Sequence, residues 1–413
     1  MNLHFLSHRL LSLAVSLLVG LLASSLVGCL HFRPLDQPLG DDIGERAALI
    51  DKLSHGLFTK REQILVVKVL LATHGEDLSR LKSLIDKGSD GATLHRLIYR
   101  DITDETLREA ILAHFARETR SSDLQPSRPP REKVRVLSDI DDTLLRSLCD
   151  ERYKKHALFP GVLEFYRALS IGPRARDTEA TNPGEVTFFS ARPREIAGAS
   201  YSSVLNPLFA RHSALIGIYS LLPAAQAFPG IANVHEVQAF AKFRNFVQWA
   251  ALYPESDFVF IGDSGQGDML SGELMLYHQP ERMKAVFVHQ IVTDGKHGVF
   301  CPYPRSADDL DRNVSKVFFF DTYVGAAAQA HEWGLISDES LFLVAKETIE
   351  TLNRRGRELV AEKHRDLLVG QFRRDLRRVQ ELLSNRTADG NKSSLPELLF
   401  GETSCNPVHT KAN

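Results

Sequence analysis

Five short apolar runs constrain what this chain can fold into more than any other feature of it. Val134–Leu137, Val186–Phe189, Phe258–Ile261, Ala285–Val288 and Val317–Phe320 are each rich in Val, Ile or Phe. Such runs suit strands buried on both faces, and helical stretches between them imply a parallel sheet covered by helices. The expected fold is therefore α/β, a doubly wound parallel sheet over 133–333, flanked by helical N- and C-terminal regions.

The flanks differ in texture from this centre. Residues 41–120 read as a helical module, with Thr59-Lys60-Arg61-Glu62 at capping-box spacing ahead of an apolar stripe and Gly75 as its stop. Further helical periodicity follows at 77–87, 93–99 and 104–115, and the module shows no Gly-rich loop and no cluster of metal-ligand residues. Its plain reading is a packing or membrane-side adaptor. Residues 121–132 contain SSDLQPSRPPR, a polar stretch with three prolines that reads as a linker. From 334 to 386 the pattern is helical and basic, with ten Lys/Arg against five Asp/Glu over 354–386. A solvated face explains that excess, and attraction to anionic lipid is the alternative. The polar segment 387–413 reads as a disordered tail.

Residues 1–30 are the exception to an ordinary composition. After Arg9, Leu10–Leu30 carries no charge and ends in Leu26-Val27-Gly28-Cys29. A polar start, an apolar run and a small-residue finish predict a signal or anchor segment. LVGC resembles the cleavage box of bacterial lipoproteins, so the expectation is a membrane-associated protein, either a bacterial lipoprotein or an N-terminally anchored one. The formal net charge of −2 argues against nucleic acid as a partner. Cys149, Cys301 and Cys405 are widely spaced and form no CxxC pair, which predicts isolated thiols rather than a disulfide framework or a zinc site.

Chemistry-bearing residues gather where the apolar runs end. The first run leads into Ser138-Asp139-Ile140-Asp141-Asp142-Thr143, three carboxylates within four residues. They repel one another unless a cation sits among them, and an oxygen-rich set favours a hard ion such as Mg2+. The second run ends at Ser190, a hydroxyl able to donate to a phosphoryl oxygen. The third opens into Gly262-Asp263-Ser264-Gly265-Gln266-Gly267-Asp268, a glycine-rich turn with two carboxylates. Lys242 lies twenty residues before Gly262 and suits a phosphate clamp.

In this order, DxDxT, strand-Ser, Lys and GDSxxxD resemble the four-motif signature of the haloacid dehalogenase superfamily. Within it, DIDDT, the lysine upstream of IGDSGQGD and Phe320-Asp321-Thr322-Tyr323-Val324-Gly325-Ala326-Ala327 are most similar to the actin-patch-protein type of phosphatidate phosphatase. The sequence departs from that family in having Met-Leu-Ser-Gly after Asp268 and SARP at the second motif. The resemblance implies a Mg2+-dependent phosphatase in which Asp139 is the nucleophile and Asp141 the general acid and base. Ser190, Lys242 and Thr143 would bind phosphate, and Asp139, Asp141 (through its backbone carbonyl), Asp263 and Asp268 would serve the metal.

The implied substrate is a phosphorylated lipid, phosphatidate, met at a membrane surface. Only 144–159 separates the nucleophile loop from the next helix, too little for a compact cap domain, so a capless and open site is expected. Two other readings share parts of this pattern. One is a capless phosphatase acting on a protein or a soluble phosphomonoester. The other is a membrane-tethered, non-catalytic binding protein, against which Asp139, Asp141, Lys242 and Asp263 all stand.

Overall fold

The computed structural model describes residues 42–54, 58–86, 93–123, 134–173, 186–193, 212–218, 234–293, 315–384 and 395–400, with Leu205 and Leu208. The expectations for 1–30 and for most of the 121–132 linker lie outside these residues. Among the described residues, no helix is long and apolar enough to cross a membrane. The chain divides into two compact units, one formed by 1–85 and 96–126, the other by 86–95 and 127–413.

The first unit is helical: α1 (Ile43–Ser54), α2 (Lys60–Leu71), α3 (Gly75–Ile85), a π-helical turn at Leu97–Asp101 and α4 (Glu105–Asp123). The Thr59 capping box forms as expected, with the Thr59 backbone N–H donating to Glu62 Oε2 at 2.6 Å. Gly75 does more than stop a helix. With φ +55° it turns the chain and opens α3, a conformation glycine adopts without a Cβ penalty. Val66, Val67, Leu70, Leu81, Ile98, Ile111 and Phe115 fill this unit's interior. Helix α4 continues through Ser121, Ser122 and Asp123, so helix occupies the first residues of the expected linker.

The second unit carries a six-stranded, all-parallel sheet. Its strands are β1 (Val134–Ser138), β2 (Val186–Pro193), β3 (His212–Ile218), β4 (Asp257–Asp263), β5 (Met283–His289) and β6 (Val317–Phe320). Between and after them come α5 (Val162–Ile171), α6 (Val234–Leu252), α7 (Asp268–His278), α8 (Tyr323–Glu332), α9 (Asp338–Leu359) and α10 (Arg365–Ser384). The five apolar runs are five of these strands. The sixth, β3, is an edge strand in which His212, Ser213 and Gly217 dilute the apolar pattern that marks the others.

Sheet order is β3-β2-β1-β4-β5-β6. The chain therefore builds outward from β1 through β2 to β3, then returns to lay β4 on the other side of β1. That reversal makes the crevice beyond the carboxyl ends of β1 and β4 the topological switch point, where open α/β sheets bind ligands.

The C-terminal helices belong to the same core as the sheet. Val344, Ala345, Ile349, Leu352, Leu368, Phe372 and Val379 of α9 and α10 join Val136, Ile140, Phe165 and Phe287 in one buried cluster. Leu398 and Phe400, placed by sequence in a disordered tail, are buried against it, while 401–413 lies outside the described residues. The exposed side of α10 is basic but not bare: Arg374 pairs with Asp321 and Asp375, and Arg378 with Glu332.

Cys149 corrects the reading of isolated thiols. It is disulfide-bonded, with its partner outside the described residues. Wide spacing conceals such a pairing, because a bridge needs proximity in the fold and none in the sequence.

Candidate active site

The register of the three central strands places the polar residues at one level. Ser138 pairs with Phe188 of β2 and with Ile261 of β4. Ser190 and Asp263, each two residues further on, stand beside the start of the DIDDT turn. The Asp139 backbone N–H donates to the Ile261 carbonyl at 2.9 Å, extending the β1–β4 ladder to the edge of the crevice.

Asp139, Asp263 and Asp268 each offer a carboxylate oxygen to a common point, with those oxygens all within 4.8 Å of one another. Lys242, from α6, reaches this cluster from the side. Its ammonium lies 2.8 Å from Asp139 Oδ1 and also pairs with Asp268 Oδ1. Asp268 Oδ2 accepts from the Asp263 backbone N–H at 3.1 Å, so one carboxylate fixes both the lysine and the turn. Gly262 is required at this turn: a Cβ there would stand 2.4 Å from Asp268 Cβ. All seven residues singled out by sequence are buried, at 0–3 % exposure. The expectation of an open mouth turns partly on 194–204 and 219–233, outside the described residues.

Three carboxylates and one ammonium leave a buried excess of negative charge. Burial raises Asp139 well above the usual carboxylate range, Lys242 pulls it back, and Asp268 and Asp141 push it up further. Asp263 is raised by burial and then by Asp268 and Asp139. Asp139 Oδ2 and Asp263 Oδ2 are buried without a hydrogen-bond partner. Buried polar atoms are seldom left so, and two orphaned carboxylate oxygens beside a third carboxylate fit a divalent cation. The Asp141 carboxylate is not among the three that meet here.

Asp142 shows what the middle of DIDDT does. It is fully buried with φ +55°, a left-handed conformation that Asp tolerates better than most residues. Its carboxylate accepts backbone N–H groups from Ser147, Leu148, Cys149 and Asp150 at 2.7–3.3 Å, and the Gln266 amide at 3.2 Å. Burial nevertheless raises its pKa to about 6. The residues after Asp139 are thus gathered around one side chain. Arg146 then donates its backbone N–H to the Ala157 carbonyl and accepts from the His156 N–H, and Leu145 bridges Leu158. Residues 144–161 are consumed by this folded-back loop, which leaves no room for a cap at this position.

A second buried network, not foreseen from the sequence, lies behind the turn. Arg152 forms a two-pronged ion pair with Asp150, at 2.7 Å between Nη2 and Oδ2, and donates to the carbonyls of Gln290 and Asp321. It also donates to His289 Nε2 at 3.0 Å. Because the Asp142 carbonyl can only accept, His289 Nδ1 carries the proton and donates to it at 2.8 Å. His289 is therefore neutral, and burial followed by the Arg152 charge lowers its pKa to about 4. Tyr323, at the start of α8, donates to the Thr143 carbonyl at 2.5 Å. The Thr143 hydroxyl has no hydrogen-bond partner. The acidic pair Asp150-Glu151 beside Arg152, in a loop whose other charged residues are all basic, was the available sequence signal for this network.

Residues 134–290 match the family model of the phosphatidate phosphatase APP1 catalytic domain. Over this segment the chain is similar to the APP1-type catalytic domain. The matched stretch contains Asp139, Asp141, Thr143, Ser190, Lys242, Asp263 and Asp268, so every sequence-selected site residue falls within it. The APP1-type domain makes the protein a phosphatidate phosphatase-like phosphoric monoester hydrolase. No curated protein and no solved structure matches the chain.

Proposed function

We propose that the protein is a Mg2+-dependent phosphatidate phosphatase working through an aspartyl-phosphate. The observation that carries this reading is the Asp139–Lys242–Asp268–Asp263 cluster, with its two orphaned oxygens, at the switch point of an APP1-type domain. Asp139 attacks phosphorus, dividing one slow hydrolysis into two displacements. Asp141 protonates the leaving oxygen and then takes a proton from the incoming water. Lys242 and the Ser190 and Thr143 hydroxyls hold the phosphoryl oxygens as charge builds on them. Asp139, Asp263, Asp268 and the Asp141 carbonyl would hold Mg2+, whose charge offsets that of the phosphoryl group when bound.

A lipid substrate and a membrane-associated location are supported by the apolar N-terminal segment and by the family resemblance. The disulfide at Cys149 supports an oxidising compartment, since such bonds are rare in reducing cytosol. The test is phosphate release under Mg2+ from phosphatidate in mixed micelles, from small phosphomonoesters and from phosphopeptides, with Asp139→Asn alongside. Release from phosphatidate by the wild type alone supports the proposal. Equal release by Asp139→Asn refutes the mechanism. Cleavage of soluble esters or phosphopeptides but not lipid removes the lipid substrate and leaves the enzyme class.

A further inference from the structure

The helical unit, which by sequence lacks any metal-ligand cluster, contains one once folded. His74 in the α2–α3 turn and His114 and Glu118 on α4 bring ligand atoms within 4.8 Å of one another. His114 and Glu118 are one helical turn apart, and His74 comes from 40 residues earlier, which is why no motif shows it.

Hydrogen bonding fixes how these groups face one another. The Thr73 carbonyl lies 2.9 Å from His114 Nε2 and can only accept, so the proton sits on Nε2. In the neutral ring, Nδ1 then presents a lone pair toward Glu118 Oε1, 3.9 Å away. His74 Nδ1 lies 3.0 Å from the same Oε1, and the two rings meet edge to face at 5.2 Å. The other Glu118 oxygen accepts the Gly75 backbone N–H at 2.9 Å, which orients the carboxylate. A buried imidazole whose one N–H is held by a backbone carbonyl presents its other nitrogen as a ligand, the arrangement metal-ligating histidines adopt.

The spacings also suit a small cation. Tetrahedral ligands at ~2.0–2.1 Å from zinc stand roughly 3.3 Å apart, between the 3.0 and 3.9 Å seen here. Two imidazoles and one carboxylate select borderline ions over Mg2+ or Ca2+. The His74 side chain is 65 % exposed, leaving a coordination position open to water. We propose that His74, His114 and Glu118 form a second metal site, for Zn2+ or a similar borderline divalent ion, in the helical unit. The ion would fasten the α2–α3 turn to α4. This does not depend on the phosphatase reading.

The test is Zn2+ binding to the full chain by competition with a chromogenic chelator, in an Asp263→Asn background that weakens the acidic cluster as a rival site. One Zn2+ per chain is expected. Co2+ in its place should give the intense visible bands of a four-coordinate site. His74→Gln, at an exposed position that leaves the fold intact, and Glu118→Gln should each weaken binding tenfold or more, with unchanged circular dichroism. Failure of Asp263→Asn to bind Zn2+ overturns the proposal. So does binding that His74→Gln and Glu118→Gln leave unaltered.

Discussion

Replacing Asp142 separates two roles that the structure gives one residue. Its carboxylate accepts four backbone N–H groups, from Ser147, Leu148, Cys149 and Asp150, while its own backbone sits at φ +55°. Each buried donor left unpaired costs ~1–3 kcal/mol. Asp142→Gly, which keeps the left-handed backbone free of strain, should therefore lose roughly 4 kcal/mol or more, the low end applying where water enters. That is a large share of the ~5–15 kcal/mol by which a domain is stable.

Asp142→Ala loses the same acceptors and adds the left-handed penalty of ~1–2 kcal/mol, against ~0.5–1 kcal/mol for glycine's extra chain entropy. It should fall below Asp142→Gly by about 1 kcal/mol. Asp142→Asn keeps one oxygen and avoids burying a charge, and should lose ~2–4 kcal/mol. Urea unfolding followed by tryptophan fluorescence gives all three values. A loss of less than about 1 kcal/mol for Asp142→Gly would refute the clamp. An alanine variant as stable as the glycine one would refute the backbone part alone.

Two further outcomes follow from the buried charges. Lys242→Met leaves Asp139 and Asp268 without their cation; it should lower stability by ~3–5 kcal/mol and phosphate release by ~10²–10³-fold, so turnover within tenfold of wild type would contradict its role. His289, with its pKa lowered to about 4, takes up a proton less readily folded than unfolded. Between pH 6.5 and about 4 the unfolded state binds more protons, so its contribution to stability is intact above 6.5 and falls by ~3 kcal/mol toward pH 4. His289→Gln should flatten the pH dependence of the urea midpoint in that window, and an unchanged slope would count against a neutral buried His289.

The sequence made the sheet legible wherever a strand is an unbroken apolar run, as in the buried β4 and in β6, a partly buried edge strand of Val and Phe alone. It concealed β3, whose edge position tolerates His212, Ser213 and Gly217. The site was legible for a related reason: Asp139, Ser190 and Asp263 stand at strand ends, where position along the chain fixes position in space. Lys242 was found through its distance from Gly262. Relations between distant segments stayed hidden, among them His74 with His114, Arg152 with His289 and Asp321, and the pairing of Cys149. The basic excess of α10 is likewise read differently once Asp321, Glu332 and Asp375 are seen to face Arg374 and Arg378.

The matched segment stops at residue 290, yet the core does not. Strand β6 pairs along β5, Tyr323 grips the carbonyl of Thr143, and Asp375 of α10 accepts the Thr322 hydroxyl at 2.7 Å. The stretch that matches the family model is thus shorter than the unit that folds around the site. A chain cut after β5 would keep every acidic residue of the site and lose the wall that holds the DIDDT turn in place. Changes in the last quarter of the protein can therefore silence chemistry performed by residues some 200 positions earlier.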